Sequence, residues 1–301
     1  MSSLSQASLL HRHKGTLFSA MSSKELLDSL DSFDAREDDI FLVSYPKSGT
    51  HWVAEVIENI PGAGITLTYP IEWGDISKLE ELKTVAKRRV IPTHLSYEMT
   101  PVSVKQKKCK IVYIVRDPKD TAVSLFHYYR DNPNLPSPDT WPSFLELFLK
   151  GEVVYGSWFD HVLSWEKHKN DKNVLFLFYE EMKEDLVKTI KKMTAFLGIS
   201  VDDTEMSKIA QNTSFSEMKS NAVKENCDPN HTVCALTSDR NLVFRKGVVG
   251  DWINYFTPKQ KSVFDELFRE KMKHSDVGRC LEEYGTQMGH EVDFHSLQRS
   301  A

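Results

Sequence analysis

The sequence predicts an α/β protein: a single domain with a central, mainly parallel β-sheet flanked by helices, carrying a P-loop-like strand–loop–helix phosphate site. Three observations lead there. Short apolar runs alternate with helical stretches, the order that parallel strands joined by crossover helices require. The clearest runs, "IFLVSY" (40–45), "KIVYIV" (110–115) and "NVLFLFY" (173–179), are nearly continuous in apolar residues, as strands covered on both faces are. The first of them leads directly into "PKSGTHW", where small residues separate a strand from a helix.

Taken in order, "MSSLSQASLLHRHKG" reads as a polar N-terminal arm whose apolar pieces are too short for a signal peptide. The strand at 40–45 is followed by a helix, "GTHWVAEVIENI". "RRVIPTH" (88–94) is a shorter strand ending in a loop. After 110–115 comes "PKDTAVSLFHYYR", a helix with Asp117 as N-cap and Pro118 at its first position. "EEMKEDLVKTIKKMTAFLG" is amphipathic and stops at Gly198. Residues 221–241 are polar and long for a loop, which suits a lid. From about Gly289 onward the chain reads as a disordered tail. The expectation is one domain over 1–301, with its core at about 14–285.

Composition narrows the function. The 301 residues are 40% hydrophobic and carry a net charge of −5. That charge argues against nucleic acid or an anionic membrane surface as partner, so any anion site must rest on a few placed cations. Four cysteines in a chain of this length do not make a disulfide scaffold. Cys227, His231 and Cys234 match no standard zinc spacing, and free thiols in a reducing compartment are the expectation. Asn212-Thr213-Ser214 and Asn230-His231-Thr232 fit the glycosylation pattern, which carries no meaning without secretion. No apolar run approaches the roughly 20 residues of a membrane span. A cytoplasmic protein without a metal is expected.

In an open parallel sheet, ligands bind beyond the carboxyl ends of the strands. The first strand delivers Lys47, Ser48, Gly49, Thr50 and His51 to that rim. Small residues there let backbone N–H groups approach an anion, with the positive end of the next helix behind them. A tight turn bearing an exposed lysine is the plainer alternative. The lysine precedes Gly49, so the loop is not G-x-x-x-x-G-K-[ST], and no acidic strand end suits Mg²⁺; a P-loop kinase or NTPase is disfavoured. The strand at 110–115 ends in Arg116, with Ser124 about two turns into the helix that follows. Both are phosphate ligands by chemistry, although Arg116 paired with Asp117 or another carboxylate reads equally well. "FRKGVVGDW" (244–252) offers Arg245, Lys246 and Gly247 as an anion nest or as a solvated basic turn. Of eleven histidines, His94 stands at a predicted strand end on the same rim and is a candidate general base.

At these residues the sequence resembles the cytosolic sulfotransferase family. "YPKSGTHW" is similar to its 5′-phosphosulfate loop, "VRDPKDTAVS" to its 3′-phosphate segment and "RKGVVGDW" to its RKGxxGDW signature. "FYEEMKED" and "TSFSEM" follow in the right order, and the similarity runs from roughly Lys14 to Tyr284. The resemblance implies transfer of a sulfuryl group from 3′-phosphoadenosine 5′-phosphosulfate (PAPS) to a hydroxyl acceptor, leaving 3′,5′-adenosine bisphosphate and needing no metal. It assigns Lys47, Ser48, Gly49, Thr50, His51 and Trp52 to the 5′-phosphosulfate, with Trp52 packing on adenine. It assigns Arg116, Ser124, Phe244, Arg245, Lys246 and Gly247 to the 3′-phosphate segment, and Tyr179, Thr213, Ser214, Phe215 and Met218 to adenine and ribose. His94, Lys47 and Ser124 become the catalytic set.

Sulfuryl transfer accumulates charge on the departing phosphate, which a lysine near the bridging oxygen stabilises without a metal. The acceptor is expected to be a small hydrophobic phenol, steroid, iodothyronine or xenobiotic alcohol, in a pocket for which Phe126, Trp141 and Phe144 are candidates. Three departures stand out. Pro92 replaces a frequent lysine two residues before the base, and His51 replaces the usual Thr, Asn or Ser. In the dimer motif KxxxTVxxxE only Thr257 survives, with Ile253, Pro258 and Ser262 at the other positions, so a homodimer by that route is doubtful. Pro92 and His51 also keep open a catalytically weak or inactive protein that only binds PAPS or the bisphosphate.

Overall fold

The computed structural model describes residues 9–223 and 243–289. It begins with an antiparallel hairpin, β1 (Leu10–His13) and β2 (Thr16–Ser19). Five further strands, β3 (Ile40–Ser44), β4 (Ile65–Leu67), β5 (Arg88–Thr93), β6 (Lys110–Val115) and β7 (Val174–Phe178), form one parallel sheet in the order β4-β5-β3-β6-β7. The chain runs outward from β3 to β4, returns through β5 and then crosses to β6. The carboxyl ends of β5, β3 and β6 therefore lie side by side where the strand order reverses, the place where such sheets bind ligands.

The apolar runs are explained by burial on both faces. In β3, Phe41 and Val43 join one core while Ile40 and Leu42 join the other. In β6, Ile111, Tyr113 and Val115 oppose Val112 and Ile114 in the same way. With both sets of alternate positions covered, no polar residue has a solvated side to occupy. The first core takes Leu125, Phe148, Trp165 and Phe264 from its helices. The second takes Val53, Val56, Ile190 and Met193. At the sheet edge only Leu177 of β7 is fully buried, so this run is apolar without being covered on both faces.

Two expectations change. The arm is not simply polar extension: from Leu10 it forms the hairpin, ahead of the core boundary expected near residue 14. Phe18 is buried, Arg12 pairs with Glu152, and the Tyr155 N–H donates to the Leu17 carbonyl at 2.7 Å. The helix expected to run unbroken to Gly198 is two, Tyr179–Glu184 and Leu186–Leu197. Asp185 interrupts it at φ −145°, where its carboxylate accepts the Lys188 N–H and caps the second helix. The short strand β4 went unrecognised. The expected lid (221–241) and the tail beyond Gly289 fall largely outside the described residues, as do Cys227, His231 and Cys234.

Candidate active site

Three adjacent strand ends build the cleft. Val43 of β3 is in register with Thr93 of β5, and Ser44 with Ile114 of β6, so Lys47, His94 and Arg116 emerge together. Lys47 (φ 70°) and Gly49 (φ 114°) turn the loop sharply into the Thr50–Glu58 helix, whose first N–H groups from Trp52 and Val53 donate to the Gly49 carbonyl. A Cβ on Gly49 would meet the Tyr179 ring at 2.9 Å and Ile114 at 3.0 Å, so position and conformation both demand glycine. The Thr50 and Ser44 hydroxyls are 2.5 Å apart, tying the helix start to the strand.

His94 is held at three points. Its Nδ1 lies 2.8 Å from the Ser44 carbonyl oxygen, which can only accept, so Nδ1 carries the proton and Nε2 the lone pair. Its backbone N–H donates to Glu72 Oε1 at 2.8 Å. Its carbonyl accepts from His161 Nε2 at 3.1 Å, while the Tyr113 hydroxyl donates to His161 Nδ1 at 3.0 Å. Burial, reinforced by the Lys47 charge, pushes the His94 pKa down to about 4 against the Ser44 hydrogen bond. Burial takes His161 to about 3. Both rings are therefore neutral at pH 7. Glu72, itself fully buried, also accepts the Thr93 hydroxyl at 2.8 Å and bonds the Tyr155 hydroxyl, donors that offset the burial raising its pKa.

The cationic end collects charge from three segments. Arg116 donates to the Val248 carbonyl at 3.0 Å, approaches Asp120 at 3.7 Å and lies 4.3 Å from the Tyr179 ring centroid. Its carboxylate partner is Asp120, one turn into the helix, and not the adjacent Asp117, which caps that helix through the Lys119 and Asp120 N–H groups. Asp120 in turn accepts the Gly250 N–H at 2.7 Å and the Trp252 N–H at 2.9 Å, docking the 244–252 segment beside Arg116. Arg245 and Lys246 both pair with Asp251, at 2.5 and 2.7 Å, and these pairs help bring the Asp251 pKa down to about 2. Burial together with Arg116 and Arg245 lowers Lys47 to about 7.

Most of the expected residues line one cleft: Lys47, Gly49, Thr50, His51, Trp52, His94, Arg116, Ser124, Tyr179, Phe215, Met218, Phe244, Arg245, Lys246 and Gly247. Ser48, Thr213 and Ser214 are absent from its lining. Ser48 and Thr213 are buried; Thr213 accepts the Trp52 indole N–H on its carbonyl at 2.8 Å, and the Ser214 hydroxyl accepts the Glu217 N–H at 3.4 Å. Thr213 thus supports Trp52 from behind. Gly247 packs so closely that a Cβ would fall 2.2 Å from the Phe215 ring, which joins the basic turn to the aromatic end.

The acceptor-pocket candidates are corrected. Phe126, Trp141 and Phe144 pack on one another, with ring centroids 5.6 Å apart for Phe126 against each of the other two, and none lines the cleft. The wall beside His94 is Trp73, Tyr128, Val154 and Tyr155. The Trp73 indole N–H donates to the Tyr155 hydroxyl at 2.8 Å, and Tyr155 meets the His94 ring edge-on at 5.2 Å. The Tyr155-Gly156 pair, both with positive φ, was the one sequence signal of a turn there. Pro92 is buried within β5, paired with Leu42 of β3, its carbonyl accepting the Ile71 N–H at 3.1 Å.

An open parallel sheet whose central strand ends meet a cationic, aromatic-walled cleft with a neutral histidine defines an anion-binding transferase. The comparisons specify which. The sulfotransferase domain profile matches residues 37–276, and the chain belongs to the cytosolic sulfotransferase family. It is 39% identical over 266 residues to human sulfotransferase 1C2, covering 84% of this chain and 89% of that protein. It is 38% identical over 267 residues to mouse sulfotransferase 6B1, covering 87% and 85%. The crystal structure of mouse sulfotransferase SULT7A1 complexed with PAP is 79% identical, with a TM-score of 0.89 over 93% of this chain and 100% of that one. The chain is thus a sulfotransferase enzyme, and the binding-only alternative is not favoured.

Proposed function

We propose that this enzyme transfers the sulfuryl group of PAPS to the hydroxyl of a small hydrophobic acceptor, with His94 as general base and Lys47 on the leaving group. The observation that carries the reading is the His94 tautomer: the Ser44 carbonyl leaves Nε2 as a lone pair in the same cleft as Lys47. Binding of PAP by the 79%-identical mouse protein supports PAPS as co-substrate.

In this mechanism the acceptor hydroxyl gives its proton to His94 Nε2 as its oxygen bonds to sulfur. The bond from sulfur to the bridging phosphate oxygen breaks, and Lys47 stabilises the charge that collects there. Positioned general-base catalysis typically contributes about 10²–10⁴-fold. The remainder comes from in-line alignment and leaving-group stabilisation. Thr50, His51 and backbone N–H groups of the loop hold the 5′-phosphosulfate; Arg116, Ser124, Arg245 and Lys246 hold the 3′-phosphate. Trp52, Tyr179, Phe215, Met218 and Phe244 enclose the adenine, with Thr213 behind Trp52; Ser48 stays with the 5′-phosphosulfate loop and Ser214 with the adenine and ribose segment. The wall of Trp73, Tyr128, Val154 and Tyr155 suits an apolar acceptor, and among the acceptor classes we favour a hydrophobic phenol.

No helix among the described residues is long and apolar enough to cross a membrane, and we place the enzyme in the cytoplasm with its family. Dimerisation through 253–262 is not expected. Thr257 caps the Pro258–Lys271 helix in a capping box with Gln260. The test is transfer of radiolabelled sulfuryl from PAPS to a panel of phenols, steroids, iodothyronines and alcohols, with EDTA present. Labelled product under chelation supports the reading; no labelled product from any acceptor would sink it.

A further inference from the structure

The Lys47 ammonium lies 4.5 Å from the centroid of the Tyr128 ring, within the roughly 6 Å over which a cation and an aromatic face attract. Tyr128 stands on the Pro118–Asp131 helix, four residues after Ser124, so both side chains project from one face. Both line the cleft with Lys47. Tyr128 also borders the acceptor wall beside Tyr155, which packs on His94.

Charge explains why such a contact matters. Lys47 faces Arg116 from the end of β6, Arg245 from the basic turn and neutral His94 from the end of β5. Two guanidiniums and burial all disfavour its ammonium form. The negative face of an aromatic ring acts in the opposite sense and has a fixed place.

We propose that Tyr128 is a positioning residue for Lys47, its ring face holding the ammonium in the cleft at the border with the acceptor wall. The role rests on the sulfuryl-transfer reading above and falls to a residue outside every signature segment. It belongs to the ring and not to the hydroxyl.

The experiment compares Tyr128→Phe, Tyr128→Leu and Tyr128→Met. In protein carrying ¹³C-labelled lysine, without cofactor or acceptor, the Lys47 resonance is titrated by NMR. Tyr128→Phe should titrate as wild type, and both aliphatic variants about 0.4–1.5 pH units lower. Their kcat should fall about tenfold relative to Tyr128→Phe, which corresponds to about 1.4 kcal/mol. PAP affinity at pH 5, below the Lys47 titration expected in every variant, should stay within about twofold of wild type, since a protonated lysine keeps its attraction for phosphate. An unchanged titration in both aliphatic variants that fold would overturn the proposal, as would equal losses in Tyr128→Phe. The titration needs no cofactor, so its failure is distinct from that of the sulfuryl-transfer reading, which would show as wild-type protein that does not bind PAP.

Discussion

His94 Nδ1 and the Ser44 carbonyl oxygen are 2.8 Å apart, so the strand that supplies Lys47 and its loop also sets the tautomer of His94 at the end of the neighbouring strand. His94→Ala removes the base and leaves the nucleotide cleft. The expected outcome is loss of sulfuryl transfer by about 10²–10⁴-fold with PAP affinity within about threefold of wild type, since no charge facing the phosphates is lost. Steady-state kinetics and calorimetry with PAP check this together; unchanged turnover would rule His94 out.

The pH profile should be displaced between free and bound enzyme. His94 must be neutral to accept a proton, and in the free enzyme it gains one only as pH falls through about 4. Lys47 must be charged, and it loses its proton as pH rises through about 7. The profile of kcat/KM for PAPS, which reports free-enzyme groups, should therefore be bounded by these two values. Bound PAPS brings negative charge, which favours both imidazolium and ammonium and moves both limbs of the kcat profile to higher pH. Coincident kcat and kcat/KM profiles would contradict this assignment.

Arg245 and Lys246 share Asp251 but differ in solvation, with side chains 21% and 47% exposed. The less exposed guanidinium should contribute more, because solvent screens the lysine. Arg245→Ala is expected to weaken PAP binding by about 10- to 150-fold, the range of a charge-assisted hydrogen bond of about 1.5–3 kcal/mol. Lys246→Ala should lose less than about tenfold. Equal losses in a calorimetric titration would contradict the ordering.

Gly49→Ala combines a left-handed backbone with a Cβ 2.9 Å from the Tyr179 ring. The substitution should destabilise the fold by about 1–3 kcal/mol and displace the loop. A thermal melt with and without PAP checks both parts: a lower Tm and a diminished shift on adding PAP. A wild-type response to PAP would show that the loop tolerates the side chain.

Contiguous features were legible in the sequence. The phosphate loop, the Asp117 cap and the strands β3, β5 and β6 are each written in a few neighbouring residues, and His94 followed from standing at a strand end. The partner of Arg116 was not legible: adjacency suggested Asp117, but that carboxylate is used by its own helix N-terminus, and the helical turn presents Asp120. The amphipathic pattern from Tyr179 to Gly198 hid a break, because a carboxylate that caps a second helix leaves hydrophobic periodicity intact.

The sequence by itself determined the fold class, the family and the cationic rim, because each rests on local pattern or on ordered signature segments. Tertiary structure alone decided the aromatic wall beside His94, the His94 tautomer and the neighbours of Lys47. Trp73, Tyr155 and Glu72 belong to segments with no signature; Tyr155 reaches the cleft where its loop bonds Leu17 of β2, and Glu72, buried behind it, holds Thr93 and the His94 N–H at the end of β5. Phe126 and Tyr128 are two residues apart on one helix, and only packing shows which of them faces Lys47. A side chain's chemistry is carried by its own residue, but its pKa, tautomer and direction depend on groups distant in the chain.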